Sequence, residues 1–285
     1  MLKQVAVLHL PQSEGAVALA RQLASEFARR GVSSFVGDIW DPASEAHLRG
    51  AELAVCIGGD GTVLRAARLA IPDAVPILGI NMGRLGFLTD MSPRDFFNQF
   101  ERIVAKDWRI EQRVMVRADW TDAASGERRE FHALNDVVVS RLSPGRPIYT
   151  EVSIDGTPLA LYRCDGMIVA TPTGSTGYSL SAGGPILAPT EHHLVVTPVS
   201  AHLALSRSLV LQPDSCVDLR VTSDHGAVVS VDGQEDIAMA SGTLVSVRMS
   251  EHVLRFVRFR GPESFYGDLA EKLDIQLSSS MNRRA

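Results

Sequence analysis

Cysteine is scarce and scattered: Cys56, Cys164 and Cys216 are the only three among 285 residues. Three thiols so far apart offer neither a disulfide framework nor a tetrahedral metal site, and they fit buried thiols in a reducing cytosol. No stretch approaches the roughly 18 apolar residues of a membrane span. The opening MLKQVAVLHLPQSEG has one lysine and too short an apolar run for a signal peptide. Positive charge is not in excess either. The net charge is -5, which argues against a general nucleic-acid or membrane-surface binder and leaves room for a local basic pocket. With 45% apolar and 21% charged residues, the chain is composed like a cytoplasmic globular protein of one large or two ordinary domains.

What is present divides the chain in two. The first hundred residues alternate strand and helix patterns. Val5–Leu10, Val32–Val36, Leu53–Ile57 and Val75–Ile80 read as short apolar strands. Ala16, Leu19, Ala20, Leu23, Ala24 and Phe27 repeat at helical spacing, Val63–Leu69 reads as a second helix, and Pro93 opens another with Phe96, Phe97, Phe100 and Val104 on one stripe. Such alternation implies a doubly wound, largely parallel sheet. From about Trp108 the texture is β-like. Phe131–Ser140, Leu209–Thr222, Ala227–Val231, Leu244–Met249 and Val253–Phe259 read as strand runs, and Asp155-Gly156 as a hairpin turn. Phe265–Leu273 reads as a helix returning to the first domain. The expected organisation is an α/β domain over 1-106 joined by the tail 260-285, and a mainly β domain over 107-259.

Two glycine-rich turns carry chemistry. In AELAVCIGGDGTVLRAARLA an apolar run stops at Gly58-Gly59-Asp60-Gly61-Thr62. A strand ending in glycines before a helix presents free backbone N–H groups and a helix dipole, both suited to phosphate. No GxxxxGK[ST] or GxGxxG run occurs at this turn, so the two common nucleotide-binding folds are not indicated. Asp60 is unfavourable beside phosphate unless it holds a metal or takes a proton from a substrate hydroxyl. That combination suits phosphoryl transfer. The second turn, in YRCDGMIVATPTGSTGYSLSAGGPIL, packs Thr171, Thr173, Ser175, Thr176, Ser179 and Ser181 among glycines. Hydroxyls and amides this dense can read a base edge, a ribose or a pyrophosphate. Asn135 and Asp136 in LNDVVVSR could bind an adenine edge and a ribose diol, or merely bound a strand.

GGDGT, GINMGRLGFLTD, LND, DGMIVATPTGSTGYSLSAGGPIL and VDGQ, in chain order, resemble the bacterial NAD kinase family, from about Ala51 to Gln234. GGDGT alone is common to diacylglycerol, sphingosine and phosphofructo-type kinases; the TPTGSTGYSLSAGGP run is much more specific. A lipid or sugar kinase and a non-catalytic NAD(P)-binding regulator are the competing readings. The hydroxyl-rich loop disfavours the first, and the presence of Asp60 disfavours the second.

The resemblance implies transfer of the terminal phosphoryl of ATP, or of polyphosphate, to the 2′-hydroxyl of the adenosine ribose of NAD. By similarity Asp60 accepts that hydroxyl's proton. Gly58, Gly59 and Gly61 leave room for phosphates, which Arg65 could face. Asn135 and Asp136 fall on adenine and ribose contacts, Asp136 standing where the family usually has glutamate. Arg146 is expected near a phosphate, and Arg163 and Asp165 near the nicotinamide half. Thr173, Thr176, Tyr178 and Ser181 match positions around adenine and ribose, with Gly177 in place of the commoner alanine. Phe87 lines the pocket, and Gln234 matches a site glutamine. His202 and Arg207 resemble a family His-x-x-x-x-Arg element, and His202 is not placed in the site. The family further implies a homo-oligomer, dimer or tetramer, and a divalent cation, usually magnesium, held mainly by substrate phosphates.

Overall fold

A computed structural model describes residues 1–83, 86–122, 125–201 and 206–273. The chain runs through β1 (Gln4–His9), α1 (Glu14–Arg29), β2 (Ser33–Asp38), α2 (Ser44–Leu48), β3 (Leu53–Gly58), α3 (Asp60–Ala70), β4 (Ile77–Asn81), α4 (Pro93–Asn98) and α5 (Phe100–Ala105). It continues through β5 (Arg109–Thr121), β6 (Arg128–Ala133), β7 (Asp136–Arg141), β8 (Ile148–Ile154), β9 (Thr157–Cys164) and β10 (Gly166–Ala170). A 3-10 turn at Gly174–Thr176 leads into α6 (Tyr178–Ser181). Then follow β11 (Leu194–Val199), β12 (Leu209–Leu211), β13 (Cys216–Thr222), β14 (Ala227–Val231), β15 (Glu235–Met239), β16 (Leu244–Arg258) and α7 (Ser264–Lys272). The contacts divide the chain into two units, one of residues 1–66, 76–111 and 256–285, the other of 67–75 and 112–255.

The first unit is an α/β layer. Its strands pair in parallel in the order β2-β1-β3-β4, and Phe256 of β16 pairs with Ile77 of β4. The buried face of α1 (Ala16, Leu19, Ala20, Leu23 and Phe27) joins Val5, Val55, Ile80, Phe96 and Ile103 in one apolar core. Ser13 caps α1 by accepting the Ala16 N–H, which satisfies one otherwise unpaired donor. Ser92 and Asp95 form a reciprocal capping box on α4, with Pro93 just inside the helix. The single helix expected after Pro93 is two, because Gln99 closes α4 and opens α5.

The second unit is mainly β. One sheet contains the antiparallel run β16-β13-β8-β9, and β5 pairs with both β16 and β6. The other has the order β12-β11-β10-β7-β14-β15. Alternate side chains of its central strands, Val137, Val139, Met167, Val169, Val229 and Val231, are buried in a core with Val152, Val217 and Leu219, as the two-residue strand period requires. Asp155 and Gly156 both have positive φ and form the expected hairpin turn between β8 and β9.

Four sequence readings are corrected here. The run Phe131–Ser140 is two strands, β6 and β7, broken at Leu134-Asn135. Leu209–Thr222 supplies β12 and β13, which lie in different sheets. Leu244–Met249 and Val253–Phe259 are one strand, β16. Helix α3 begins at Asp60, three residues before the expected start.

Phe27 is fully buried, with ring centroids 6.2 Å from Phe96 and 5.2 Å from Phe100. Phe27→Ala should cost about 3–5 kcal/mol, the range for emptying an aromatic core position. Urea unfolding should show a lowered midpoint, and a change below about 1 kcal/mol would mean that α1 repacks freely.

Candidate active site

In the first unit, β3 and β4 run parallel with Gly58 opposite Asn81. Gly58 is buried, and a Cβ there would overlap the Thr62 side chain. Gly59 and Gly61 are exposed. The Gly59 carbonyl accepts the N–H groups of Thr62 at 3.0 Å and Val63 at 3.3 Å, closing the first turn of α3. Asp60 opens that helix. Its Oδ2 accepts the Phe87 N–H at 2.8 Å and its Oδ1 the Leu88 N–H at 3.0 Å. Gly86 permits this approach, since any Cβ at that position would overlap the Asp60 carboxylate.

Arg65 lies with its guanidinium 5.4 Å from the centre of the Trp40 ring, and its Nε is buried without a hydrogen-bond partner among the described residues. Phe87 is half-buried, with Lys272 Nζ 4.8 Å from its ring centre. A cavity of about 480 Å³ in this unit is lined by Asn81, Asp90, Ser92, Asp95 and Arg260 among others, and none of the sequence-derived candidates lines it.

In the second unit the LND segment is tied down by Asp232. Its Oδ2 accepts the Leu134 N–H at 2.9 Å; its Oδ1 accepts those of Asn135 at 2.7 Å and Asp136 at 3.2 Å. The Asp232 N–H in turn donates to the Asp136 carbonyl at 3.0 Å. The hydroxyl-rich loop sits on the same segment. Thr171 donates from N to Asn135 O at 2.9 Å and from Oγ1 to Leu134 O at 2.6 Å, and its Oγ1 accepts the Gly174 N–H at 3.0 Å. A Cβ at Gly174 would overlap the Asn135 carbonyl.

Beside this junction is a cavity of about 400 Å³ whose lining includes Asn135, Asp136, Ser140, Tyr178, Ser230 and Asp236. The outer face of β7 and β14 supplies its floor, since Ser230 pairs with Val138 and Val228 with Ser140. Asn135 Oδ1 and Thr173 Oγ1 are buried with no partner among the described residues, so this junction offers unmet hydrogen-bonding capacity. Gly177, at φ -94 and ψ -132, lies outside the backbone regions usual for residues with a side chain, and a Cβ there would stand 3.3 Å from the Gly174 carbonyl and near the Asn135 and Asp136 side chains. Thr176 donates to the Thr173 carbonyl at 3.1 Å.

Burial first, and then the charge of Asp232, raises the Asp136 carboxyl to about 7. Burial raises Asp232 to about 6, opposed by the three backbone N–H donors and by Arg68. Arg68 also bonds Glu235 at 2.9 Å. Asp232 and Arg68 carry this framework and were not singled out by sequence reasoning; the signal present was the VDGQ turn, read only for its glutamine.

The structure brings Asn135, Asp136 and Tyr178 together in that cavity's lining, sets Gly177 against the Asn135 and Asp136 side chains, and leaves the other candidates outside the lining. Four hydroxyls read as candidate base and ribose contacts are used internally, that of Thr176 on the Thr173 carbonyl among them. Ser175 Oγ donates to Pro172 O at 2.6 Å and accepts the Leu187 N–H at 3.0 Å, and Ser179 meets Thr197 at 3.1 Å, as Thr171 meets Leu134. Ser181 and Arg146 are exposed. Arg163 is exposed on β9, next to β8 alone in the strand order. Asp165 pairs with Arg141 Nε at 3.0 Å. Gln234 is half-buried in the β14–β15 turn, where its N–H donates to the Val231 carbonyl at 3.0 Å. His202 lies outside the described residues. Among the described residues no cluster of three potential metal ligands includes Asp60, and no helix is long and apolar enough to cross a membrane.

Residues 4–108 match the family described as the ATP-NAD kinase N-terminal domain, and residues 134–259 match the ATP-NAD kinase C-terminal domain. The chain is 41% identical over 276 residues to an NAD kinase of Chloroflexus aurantiacus, covering 96% of this chain and 99% of that one. It is 36% identical over 274 residues to an NAD kinase of Dehalococcoides mccartyi, covering 96% of each. Among solved structures it resembles an NAD kinase from Archaeoglobus fulgidus in complex with ATP, with TM-score 0.78 and 28% identity over 95% of this chain and 98% of that one. A yeast NADH kinase complexed with NADH shares the fold, with TM-score 0.84 and 23% identity over 97% of this chain and 89% of that one.

Because burial holds Asp136 and Asp232 protonated to higher pH than in the unfolded chain, the native state binds more protons between about pH 4 and pH 7. Stability contributed by these groups is therefore full at low pH and lost as pH rises through that window. Asp136→Asn should remove much of this slope and stabilise the protein at pH 8 by about 2–4 kcal/mol relative to pH 4. Urea unfolding of both proteins across pH 4–8 measures it; parallel curves would contradict the assignment.

Proposed function

The chain belongs to the NAD kinase family, and we infer that it phosphorylates NAD to NADP with ATP as donor. The observation that carries this reading is the junction of Asn135, Asp136 and the 171–177 loop, with its adjoining cavity and the unpartnered Asn135 Oδ1 and Thr173 Oγ1. A base edge and a ribose hydroxyl supply the donors such acceptors need. In the proposed division of labour, Asn135 and Asp136 bind the adenosine part of NAD, and Tyr178, half exposed at the cavity's edge, offers a ring for stacking.

Asp60 acts on the acceptor hydroxyl. The amides of Phe87 and Leu88 fix its carboxylate, and a carboxylate with about four lone-pair sites keeps capacity for one more donor. The 2′-hydroxyl gives its proton to Asp60 while its oxygen bonds the terminal phosphorus of ATP. The bond from that phosphorus to the bridging oxygen breaks, and ADP leaves with the electron pair. A divalent cation, magnesium in this reading, would be held mainly by the substrate phosphates and would supply neutralisation of their charge. Exposed Gly59 and Gly61 are assigned to phosphate approach, whereas buried Gly58, expected in the same role, makes room for the Thr62 side chain. Assembly into a homo-oligomer and a cytoplasmic location complete the reading.

Incubating the pure protein with NAD, ATP and magnesium, followed by an NADP-specific dehydrogenase, should report NADP; no product with ATP or polyphosphate would refute the function. Asp60→Asn should lower kcat about 10²–10⁴-fold with the KM for NAD near wild type. Near-normal kcat would leave Asp60 as an anchor for residues 86–88 only. Asp136→Ala should instead raise the KM for NAD more than it lowers kcat, by about 1.5–3 kcal/mol of binding. An unchanged KM would remove Asp136 from the ribose.

A further inference from the structure

In the second unit β6 and β16 flank β5. Arg117 of β5 stands opposite His132 of β6, and Glu251 and His252 of β16 reach the same place. One nitrogen from each histidine and a Glu251 oxygen all lie within 4.8 Å of one another. The two imidazole rings meet edge to face with centroids 4.7 Å apart.

The histidines are oriented from behind. His132 Nδ1 is 2.8 Å from Ser250 Oγ, and the same oxygen accepts the His252 backbone N–H at 3.0 Å. Ser250 is buried. With Nδ1–H donating, the Ser250 oxygen receives two donors and the Nε2 lone pair of His132 points away from it. A partner on the far ring nitrogen is the usual support for a metal-binding imidazole. Charge agrees. Arg117 and Arg248 face Asp119, Glu130 and Glu251, so neutral imidazoles leave the cluster one negative charge in excess.

We propose that His132, Glu251 and His252 form a three-ligand site for a zinc-class divalent transition metal that ties β6 to β16. Two nitrogens and one carboxylate oxygen suit such a metal, with one position left for water or Glu130, whose Oε1 is 3.7 Å from His132 Nε2. Zinc bonds of about 2.0–2.2 Å place ligand atoms about 3.4 Å apart, so side-chain rotation of about an ångström closes the site. Arg117 Nη1, 3.5 Å from Glu251, is too far for a strong hydrogen bond and yields the carboxylate. The side chains of Glu251 and His252 are 57% and 38% exposed, so an ion has access.

The test uses the full chain, stripped of metal and free of nucleotide, titrated with zinc and cobalt(II). One equivalent per chain should survive gel filtration, cobalt should give a visible absorption band, and zinc should raise Tm. His252→Ala and Glu251→Gln should each weaken binding at least tenfold and abolish the Tm rise, whereas Cys216→Ser should change neither. Glu251→Gln preserves shape, so it decides the matter if His252→Ala fails to fold. No retained zinc, affinity unchanged by either ligand substitution, or loss of binding in Cys216→Ser would overturn the proposal.

Discussion

Three consecutive backbone N–H groups, from Leu134, Asn135 and Asp136, converge on the one carboxylate of Asp232. These donors would otherwise be buried between the ends of β6 and β7, where each unpaired group costs about 1–3 kcal/mol. The β7–β14 register, Val137 opposite Val231, delivers Asp232 one residue beyond the pairing. The turn that follows gives Asp232 and Gly233 positive φ and aims the carboxylate inward. Once residues 134–136 are held, their carbonyls become fixed acceptors, and Thr171 docks the hydroxyl-rich loop on them. The cost is two carboxyl groups close together in a buried place, visible in the raised values of both.

The same logic divides the hydroxyls of that loop into builders and candidate binders. Thr171, Ser175 and Ser179 bond to protein and give the loop its shape. Thr173 Oγ1 and Asn135 Oδ1 are buried without partners among the described residues. A loop free of internal bonds would have to be ordered by its ligand, at an entropic cost of about 1–2 kcal/mol per residue. Here neighbouring hydroxyls have already met that cost, which is why so polar a stretch follows a fully buried strand.

Much of this was legible in the sequence because it is written locally. The helix of Ala16 to Phe27, the β8–β9 turn at Asp155-Gly156 and the strand before GGDGT follow from residue period and turn chemistry alone. Where pairing decides, local pattern failed. Nothing in Ser250-Glu251-His252 says that β16 continues through it, because the supporting pairs lie on β13 and β5, distant in sequence. Leu209–Thr222 reads as one β-like run, yet Pro213 and Asp214 within it separate two strands that join different sheets. The resemblance was read from about Ala51 to Gln234, whereas the family match spans 4–108 and 134–259. The outer strands are ordinary apolar segments without motifs. Of the candidate site, motif residues with their own chemistry were found. Their supports were not, since Asp232, Arg68 and Gly86 act through geometry that only pairing creates.

The turn at Asp60 rests on a simpler constraint. Two adjacent parallel strands, β3 and β4, end side by side at Gly58 and Asn81, and ligands of open α/β sheets commonly bind beyond such carboxyl ends. After β4 the chain leaves and returns, since Ile80 bridges Met91 and the Asn81 N–H donates to the Met91 carbonyl at 2.9 Å. The excursion between them is fastened at Asp60 through Phe87 and Leu88, and Gly86 is small where a side chain would collide. A carboxylate on a free loop would lose orientation and weaken as a base, because proton transfer needs the acceptor within about 3 Å and aligned. One on the first residue of a helix, gripped by two amides, is already oriented. The glycines of GGDGT therefore serve two ends: Gly58 clears Thr62 so that the helix can start at Asp60, while exposed Gly59 and Gly61 add no side chain beside that carboxylate, as the proposed approach of a phosphate requires.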